Sequence, residues 1–192
     1  MNALIYDTET TGLLLKEYPL GHPAQPRIVQ IAAVLVNTDD WLPQGVLSLL
    51  VKPDGFTIPP TAEAVHHISN TRAATYGVAV SYALHVFITL VRRAEVCYAF
   101  NANYDTGVII GELMNLKRND DIKSINNTKC VMQPLTDICK IKSAWGFKWP
   151  SLDEAYTHYY GEPPKQAHDA LADVHTTMKV LQAYLEKDTN DK

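Results

Sequence analysis

The sequence has few cysteines, and their spacing excludes two classes of protein. Its 192 residues include three cysteines, at positions 97, 130 and 139, and no CxxC pair. This number and spacing argue against both a disulfide framework and a cysteine zinc site. They indicate reduced thiols, so we expect a cytoplasmic protein.

Long hydrophobic runs and an excess of positive charge are also absent. No stretch approaches 18 uncharged apolar residues, which predicts no transmembrane helix and no association with a membrane. No signal peptide is expected either, because Asp7 and Glu9 interrupt the first apolar stretch and no basic region precedes it. The net charge of -4 argues against a protein that coats nucleic acid. It does not exclude an enzyme that approaches phosphates through metal ions.

The composition that is present, 46% hydrophobic and 20% charged, is that of an ordinary globular domain. Apolar runs predict strands at 3–7, 28–36, 46–52 and 95–100, separated first by a long loop at 13–26. Helices are predicted at 61–67, 71–76, 81–93, 103–114, 152–160 and 169–186, with Ser81, Asn103 and Ser151 as N-caps. Strands followed by mixed helices and strands favour an α/β fold around a mixed sheet.

In the segment DTETTG at 7–12, two acidic residues are separated by a single threonine. Side chains at i and i+2 of a strand face the same way, so Asp7 and Glu9 are expected to point together. Adjacent carboxylates repel each other, and a divalent cation such as Mg²⁺ or Mn²⁺ is a natural compensation. In the alternative interpretation, one acid caps a turn and the other is solvated. The motif alone favours this alternative.

Two further acidic segments begin predicted helices. FNANYD ends at Asp105, just after a predicted strand, where open α/β sheets bind ligands. HDALAD begins at His168, which we place in the loop before the last helix, with Asp169 near the N-cap and Asp173 one turn into the helix. Each acid alone could simply stabilise the N-terminus of its helix by interacting with the helix dipole. Three acids on separate elements together with a histidine are harder to explain by structure alone.

The three segments resemble, in order, the motifs of the DEDD exonucleases, in the subgroup with a histidine in its third motif (DEDDh). Within that family the sequence looks like the proofreading subunit of bacterial replicative DNA polymerase. The resemblance extends to IVQIAAV at 28–34, IPPTAEAVHHI at 58–68 and WPSLDEAYTHYYG at 149–161. It implies a ribonuclease H-like mixed five-stranded sheet flanked by helices. The implied exonuclease domain spans residues 1–186, and a polar tail follows at 187–192.

The resemblance also implies a function and a site. The expected activity is metal-dependent 3′–5′ exonuclease cleavage of mainly single-stranded DNA, with two Mg²⁺ or Mn²⁺ ions and release of nucleoside 5′-monophosphates. Nucleic acid 3′ ends are the expected partners, DNA before RNA, and a DNA polymerase is a candidate partner. The implied metal carboxylates are Asp7, Glu9, Asp105 and Asp173, and the implied general base is His168. Substrate contacts are expected from Thr10, Thr11, Gly12, Leu13, Asn101 and Tyr104.

The sequence departs from the family at four positions that bear on substrate preference. Phe100 stands where many members have histidine, Tyr104 where many have phenylalanine, Gln30 where glutamate is common and His67 where glycine is common. Phe100 and Tyr104 are candidates for stacking on bases, although aromatic residues at strand ends more often belong to the core.

Two alternative functions stay open. One is an exonuclease that trims RNA 3′ ends, and the other is a catalytically idle scaffold associated with a polymerase. Residues 117–148 hold seven of the 17 basic residues. This basic segment could contact a nucleic acid backbone or could equally be a solvated face.

Overall fold

A mixed five-stranded sheet forms the centre of the protein. The computed structural model describes residues 1–165 and 169–187, so His168 and the end of the predicted tail, 188–192, lie outside the described residues. The strands are β1 (Asn2–Thr10), β2 (Ile28–Asn37), β3 (Pro43–Leu50), β4 (Val96–Ala99) and β5 (Lys129–Cys130). Their order is β3-β2-β1-β4-β5. The first three strands form an antiparallel meander, and β4 and β5 add in parallel beside β1. This architecture confirms the predicted fold class.

Helices cover the sheet, and a small hairpin precedes the last two of them. The described helices are α1 (Pro60–His66), α2 (Asn70–Tyr76), α3 (Val80–Val91), α4 (Ala102–Asn115), α5 (Asn119–Ile125), α6 (Thr136–Cys139), α7 (Leu152–Tyr160) and α8 (Ala170–Lys187). The hairpin pairs β6 (Lys142–Ser143) with β7 (Gly146–Phe147). The helices predicted from the sequence are present, with shifted ends.

One of the three predicted N-caps is confirmed. Ser151 forms a capping box with Glu154 at the start of α7. The other two predictions were wrong, because α3 begins after Ala79 and α4 after Asn101, and neither residue makes a side-chain cap bond. The backbone carbonyls of these two residues already accept the first helical hydrogen bonds.

The side chains of β1 alternate between two hydrophobic cores. Leu4 and Tyr6 pack with Phe87 of α3 in one core, whereas Ala3 and Ile5 pack with α7 and α8 in the other. Burial on both faces explains the nearly continuous apolar runs in the strands. The same alternation decides which helix each polar residue at the end of β1 will meet.

Strand β1 is longer than the predicted strand at 3–7. Its pairing with β2 continues to Glu9 opposite Gln30 and, after an irregularity, to Thr10 opposite Ile28. Thr10 therefore belongs to the strand, three residues beyond the predicted strand end at residue 7. The predicted loop at 13–26 contains neither helix nor strand.

A buried ion pair ties the end of this loop to α4. Arg27 donates to both carboxylate oxygens of Glu112, at 2.8 and 3.1 Å, and the Ile28 N–H donates to the same carboxylate at 3.2 Å. Glu112 is only 2% exposed. The start of β2 is thereby fixed against α4, the helix that follows β4.

Candidate active site

Three of the predicted metal carboxylates meet at the carboxyl end of β1. Asp7 and Glu9 project from the face of β1 that α8 covers, and Asp173 lies in the first turn of α8. One carboxylate oxygen from each residue lies within 4.8 Å of the others. A strand and a helix far apart in sequence thus assemble the acidic cluster of Asp7, Glu9 and Asp173.

Asp105 approaches the acidic cluster from the other side of the sheet. It lies in the first turn of α4, where the sequence had placed it, and is buried. Its Oδ1 accepts hydrogen bonds from the Thr8 N–H at 3.1 Å and from the Thr8 hydroxyl at 2.8 Å. Thr8 faces α4 because it alternates with Asp7 and Glu9. Sequence reasoning gave Thr8 no role, and its position between two acids was the only available signal.

The four carboxyl groups repel one another and are poorly solvated. Burial raises the pKa of Glu9 to about 7, and the charge of Asp173 adds to this rise. Burial also raises the pKa of Asp7 well above its usual range. The negative charges of Asp105 and Glu9 raise it further. The pKa of Asp105 is raised to about 7, mainly by burial. The hydrogen bonds from Thr8 lower this pKa but do not offset the effect of burial.

This donor set fits a divalent cation. Hard oxygen ligands are what Mg²⁺ and Mn²⁺ prefer, and a cation would relieve the repulsion that raises these pKa values.

A cavity of about 330 Å³ opens beside Glu9. This volume lies within the usual range for small-molecule sites. The lining residues are Thr8, Glu9, Thr10, Thr11, Gly12, Leu13, Thr61, Ala62, Val65, His66 and Tyr104. Five of the six predicted substrate contacts are therefore brought together here. The sixth, Asn101, is exposed at the start of α4 and does not line this cavity.

The Tyr104 hydroxyl holds the cavity wall in place. It donates to the Gly12 carbonyl at 2.6 Å and shares a short hydrogen bond with the Thr10 hydroxyl. Burial raises the pKa of Tyr104 to about 12, so the hydroxyl keeps its proton. The adjacent Leu13 is 79% exposed. An apolar side chain thus stands in solvent beside a turn that is held by hydrogen bonds.

His66 is a cavity residue that sequence reasoning missed. Its Nδ1 accepts the Ile68 N–H at 3.1 Å, and its Nε2 has no hydrogen-bond partner among the described residues. Burial lowers the pKa of His66, which favours the neutral ring. The segment at 58–68 had been noted for its resemblance, but nothing in it singled out this side chain. The next residue, His67, ends α1 with φ 58°, a conformation that glycine adopts easily.

Gln30 connects β2 to the start of α8. Its Nε2 donates to Asp169 at 3.2 Å and to Ser48 at 3.3 Å, while its Oε1 accepts the Ala170 N–H at 3.3 Å. Asp169 in turn caps α8 by accepting the Leu171 N–H at 3.1 Å. The predicted position of Asp169 near the N-cap is confirmed. A glutamate at position 30 would instead repel Asp169.

Phe100 and three of the seven basic residues at 117–148 have structural roles. Phe100 is only 8% exposed and belongs to the core under α8, which leaves its ring buried. Within the basic segment, Arg118 pairs with Asp121 at 2.6 Å. Two more ion pairs join Lys123 to Asp120 at 3.5 Å and Lys148 to Glu154 at 2.7 Å.

The sequence as a whole matches one protein family. Residues 4–181 match the family model described as Exonuclease, of the RNase T type. The chain belongs to this exonuclease family. The matched range includes the acidic cluster, Asp105 and the cavity, so this exonuclease-family protein carries its acids where β1, α4 and α8 converge. Comparison with curated protein sequences finds no match.

Solved structures with the same fold include exonuclease I of E. coli. Its complex with a dT13 oligonucleotide has a TM-score of 0.77 at 19% identity, covering 98% of this chain and 42% of that chain. A zinc-bound form of E. coli exonuclease I with single-stranded DNA has a TM-score of 0.76 at 19% identity, covering 98% and 41%. Another exonuclease I structure, described as suggesting how processivity is achieved, has a TM-score of 0.75 at 20% identity, covering 98% and 42%. At these identities the likeness shows the fold alone, and this chain spans less than half the length of the exonuclease I chains.

Across residues 1–165 and 169–187, none of the helices combines the length and apolar character needed to span a bilayer.

Proposed function

We propose that this exonuclease-family enzyme is a metal-dependent 3′–5′ exonuclease acting mainly on single-stranded DNA. It would hydrolyse the terminal phosphodiester and release nucleoside 5′-monophosphates. The observation that carries the proposal is the acidic cluster, in which oxygens of Asp7, Glu9 and Asp173 lie within 4.8 Å of one another. A catalytically idle scaffold would gain nothing from buried carboxyl groups with raised pKa values.

The chain's carboxylates would hold two divalent cations, Mg²⁺ or Mn²⁺. Asp7, Glu9 and Asp173 are the proposed ligands from the β1 and α8 side, and Asp105 is the proposed ligand from α4. When bound, such cations activate a water nucleophile and stabilise the leaving 3′-oxygen. Thr8 keeps Asp105 in place through its two hydrogen bonds.

His168 is the proposed general base. It would accept the proton of the attacking water, and only a neutral imidazole ring can do so. The reference pKa of histidine is about 6.5, so the ring is mostly neutral above that pH. Its position directly before Asp169 supports this role, because Asp169 is held by Gln30 and caps the helix that carries Asp173. We expect His168→Ala to lower turnover strongly while metal affinity, measured by calorimetry, is retained.

The cavity would take the terminal nucleotide. The backbone of Thr10 to Gly12 would contact the terminal sugar, and the exposed Leu13 would pack against the last base. Thr11 would contribute through its backbone, and Asn101 would contact the strand outside the cavity. Tyr104 would act by holding the turn.

DNA is favoured over RNA because the solved exonuclease I structures include complexes with dT13 and with single-stranded DNA. An RNA 3′-end trimming activity is the second candidate. A DNA polymerase partner and a cytoplasmic location stay predictions from the sequence.

The deciding experiment compares 5′-labelled DNA and RNA strands of matched sequence, incubated with the protein in Mg²⁺ or in EDTA. We expect a ladder of shortened DNA strands and free nucleoside 5′-monophosphates in Mg²⁺ only. Asp7→Asn is the control, because it removes the charge without changing the size of the side chain. Faster loss of the RNA strand would favour the second candidate. No Mg²⁺-dependent shortening of either strand would contradict the proposal and favour the scaffold.

A further inference from the structure

Residues 140–149, which we call the tryptophan hairpin, expose three aromatic rings away from the cavity. Trp145 lies at the tip, between β6 and β7, and is 98% exposed. Phe147 and Trp149 are 47% and 59% exposed. Single exposed hydrophobic residues are common, but three large exposed rings within five residues are not, and they mark a candidate interaction site.

The hairpin presents these rings on an ordered backbone. The Lys148 N–H donates to the Ile141 carbonyl at 2.9 Å. At the turn, the Ser143 hydroxyl donates to the Gly146 carbonyl at 3.0 Å and accepts the Trp145 N–H at 3.3 Å. Lys148 then joins the hairpin to α7 through its ion pair with Glu154 at 2.7 Å. Binding would therefore cost little ordering of the backbone.

The charge of the hairpin opposes that of the whole chain. Residues 138–152 contain three lysines and neither Asp nor Glu, whereas the chain has a net charge of -4. Lys148 is paired with Glu154. Lys140 and Lys142 are exposed and form no ion pair within the described residues, and Lys142 lies directly across the hairpin from Phe147. Unpaired positive charge thus lies next to an exposed ring.

We propose that the tryptophan hairpin is a second nucleic-acid contact, on which bases of a single strand stack while Lys140 and Lys142 contact its phosphates. Single-strand sites combine aromatic platforms with positive charge, whereas the centres of protein–protein interfaces are depleted of lysine. The choice of a nucleic acid occupant rests on the proposed function. The hairpin would hold a part of the strand beyond the nucleotide in the cavity.

Binding is tested without hydrolysis, so that this proposal and the proposed function can fail separately. A fluorescein-labelled oligothymidylate of about 20 nucleotides is titrated with the protein in EDTA, and its anisotropy is followed. We expect Trp145→Ala to raise Kd about fivefold or more, the effect of losing one stacked base. Trp145→Phe should recover part of the affinity. Tyr76→Ala, which removes an exposed ring from α2, should bind like the wild type.

Salt dependence separates stacking from phosphate contact. We expect Lys142→Ala to lower the slope of log Kd against log salt concentration by about 0.7, the value for one phosphate contact on a single strand. Trp145→Ala should leave the slope unchanged. Lys123→Ala is the matched control, because Lys123 is also an exposed lysine but lies in α5, beside Asp120.

Hydrolysis of the p-nitrophenyl ester of thymidine 5′-monophosphate reports on the acidic cluster alone, since this substrate carries one nucleotide. We expect Trp145→Ala to hydrolyse it like the wild type. The hairpin proposal is overturned if Trp145→Ala binds the oligothymidylate within twofold of the wild type. It is also overturned if Trp145→Ala leaves strand affinity unchanged but abolishes self-association or binding of a protein partner.

Discussion

At the scale of single residues, the alternation of Asp7, Thr8 and Glu9 organises the site. The two acids face α8 and meet Asp173, while the threonine between them faces α4 and binds Asp105. A three-residue stretch of strand thus gathers carboxylates from both sides of the sheet. The result is a group of acids whose ionisation is opposed by burial and by one another.

The first prediction concerns the stability of the metal-free protein. The raised pKa values of Asp7, Glu9 and Asp105 mean that the folded protein binds more protons than the unfolded chain. The stability that Glu9 and Asp105 contribute in this way is present below about pH 4 and is lost as the pH rises through about 7, and the raised pKa of Asp7 acts in the same direction. At about pH 8 in EDTA, the Tm of Asp7→Asn should therefore be at least about 3 °C higher than that of the wild type. This shift corresponds to a gain of about 1 kcal/mol in the free energy of unfolding.

Two comparisons check the cause of this difference. The gap between Asp7→Asn and the wild type should shrink in thermal melts at about pH 4.5, where the carboxyl groups are protonated. Added Mg²⁺ should stabilise the wild type more than the variant at about pH 8. A variant that melts below the wild type in EDTA at that pH would contradict the inferred repulsion.

The second prediction concerns Tyr104, whose hydroxyl holds Thr10 and Gly12. Tyr104→Phe keeps the ring but loses both hydrogen bonds, so we expect about 1 kcal/mol of lost stability. The turn would be less well positioned for a terminal nucleotide, and KM for a labelled strand should rise about fivefold with kcat little changed. A large fall in kcat with unchanged KM would instead place the hydroxyl in the chemical step. Tyr82→Phe, on the exposed face of α3, is the control.

At the scale of elements, the contact between β2 and α8 fixes the position of Asp173. The Gln30 side chain accepts a hydrogen bond from the N–H of Ala170, the first residue of α8. It donates another to Asp169, the residue that caps α8. The helix start is therefore positioned by the sheet as well as by its own cap. A glutamate at position 30 would place a carboxylate against that of Asp169.

An exchange of amide and carboxylate tests this contact. Gln30→Glu should lower the free energy of unfolding by about 1–3 kcal/mol, because two carboxylates then face each other in a partly buried place. The double variant Gln30→Glu with Asp169→Asn should recover most of this loss, since the asparagine can donate to the glutamate and still cap α8. Urea unfolding measures all three proteins. Equal stability of the single and double variants would show that the two side chains are not coupled.

At the scale of the whole molecule, the sheet separates two cores and the site lies where both end. One core joins β1 to α3 and α4, and the other joins it to α7 and α8. The Arg27–Glu112 ion pair holds the β2 end of the sheet against α4. This ion pair therefore bears on global stability as well as on the position of Asp105.

Glu112→Gln tests the importance of that ion pair. The amide oxygen could still accept the Ile28 N–H and the Arg27 Nε–H, but Arg27 would lose the carboxylate charge and its second hydrogen bond, so we expect a loss of about 1–3 kcal/mol in urea unfolding. Glu154→Gln breaks the exposed pair with Lys148 and should cost less than about 1 kcal/mol. Similar losses in the two variants would contradict the distinction between a buried and an exposed pair.

Much of the fold was predictable because it depends on local patterns. The apolar runs located the four longer strands, and Ser151 and Asp169 marked helix starts correctly. The two-residue strand β5 is too short for any periodicity, and β1 was predicted too short because polar residues occupy its paired end. The starts of α3 and α4 were misplaced because neither helix begins with a side-chain cap bond, which is the signal that the sequence offers.

The sequence by itself singled out the four acids that we propose as metal ligands, since the order and spacing of DTETTG, NANYD and HDALAD do not depend on coordinates. Only the tertiary structure decided how they are arranged. It brought Asp105 to the acidic cluster from the α4 side, gave Thr8 the role of holding Asp105, and brought His66 into the cavity. It also decided that Gln30 positions α8. The physical reason is that side-chain contacts across a sheet depend on strand register and helix packing, which link residues far apart in the chain.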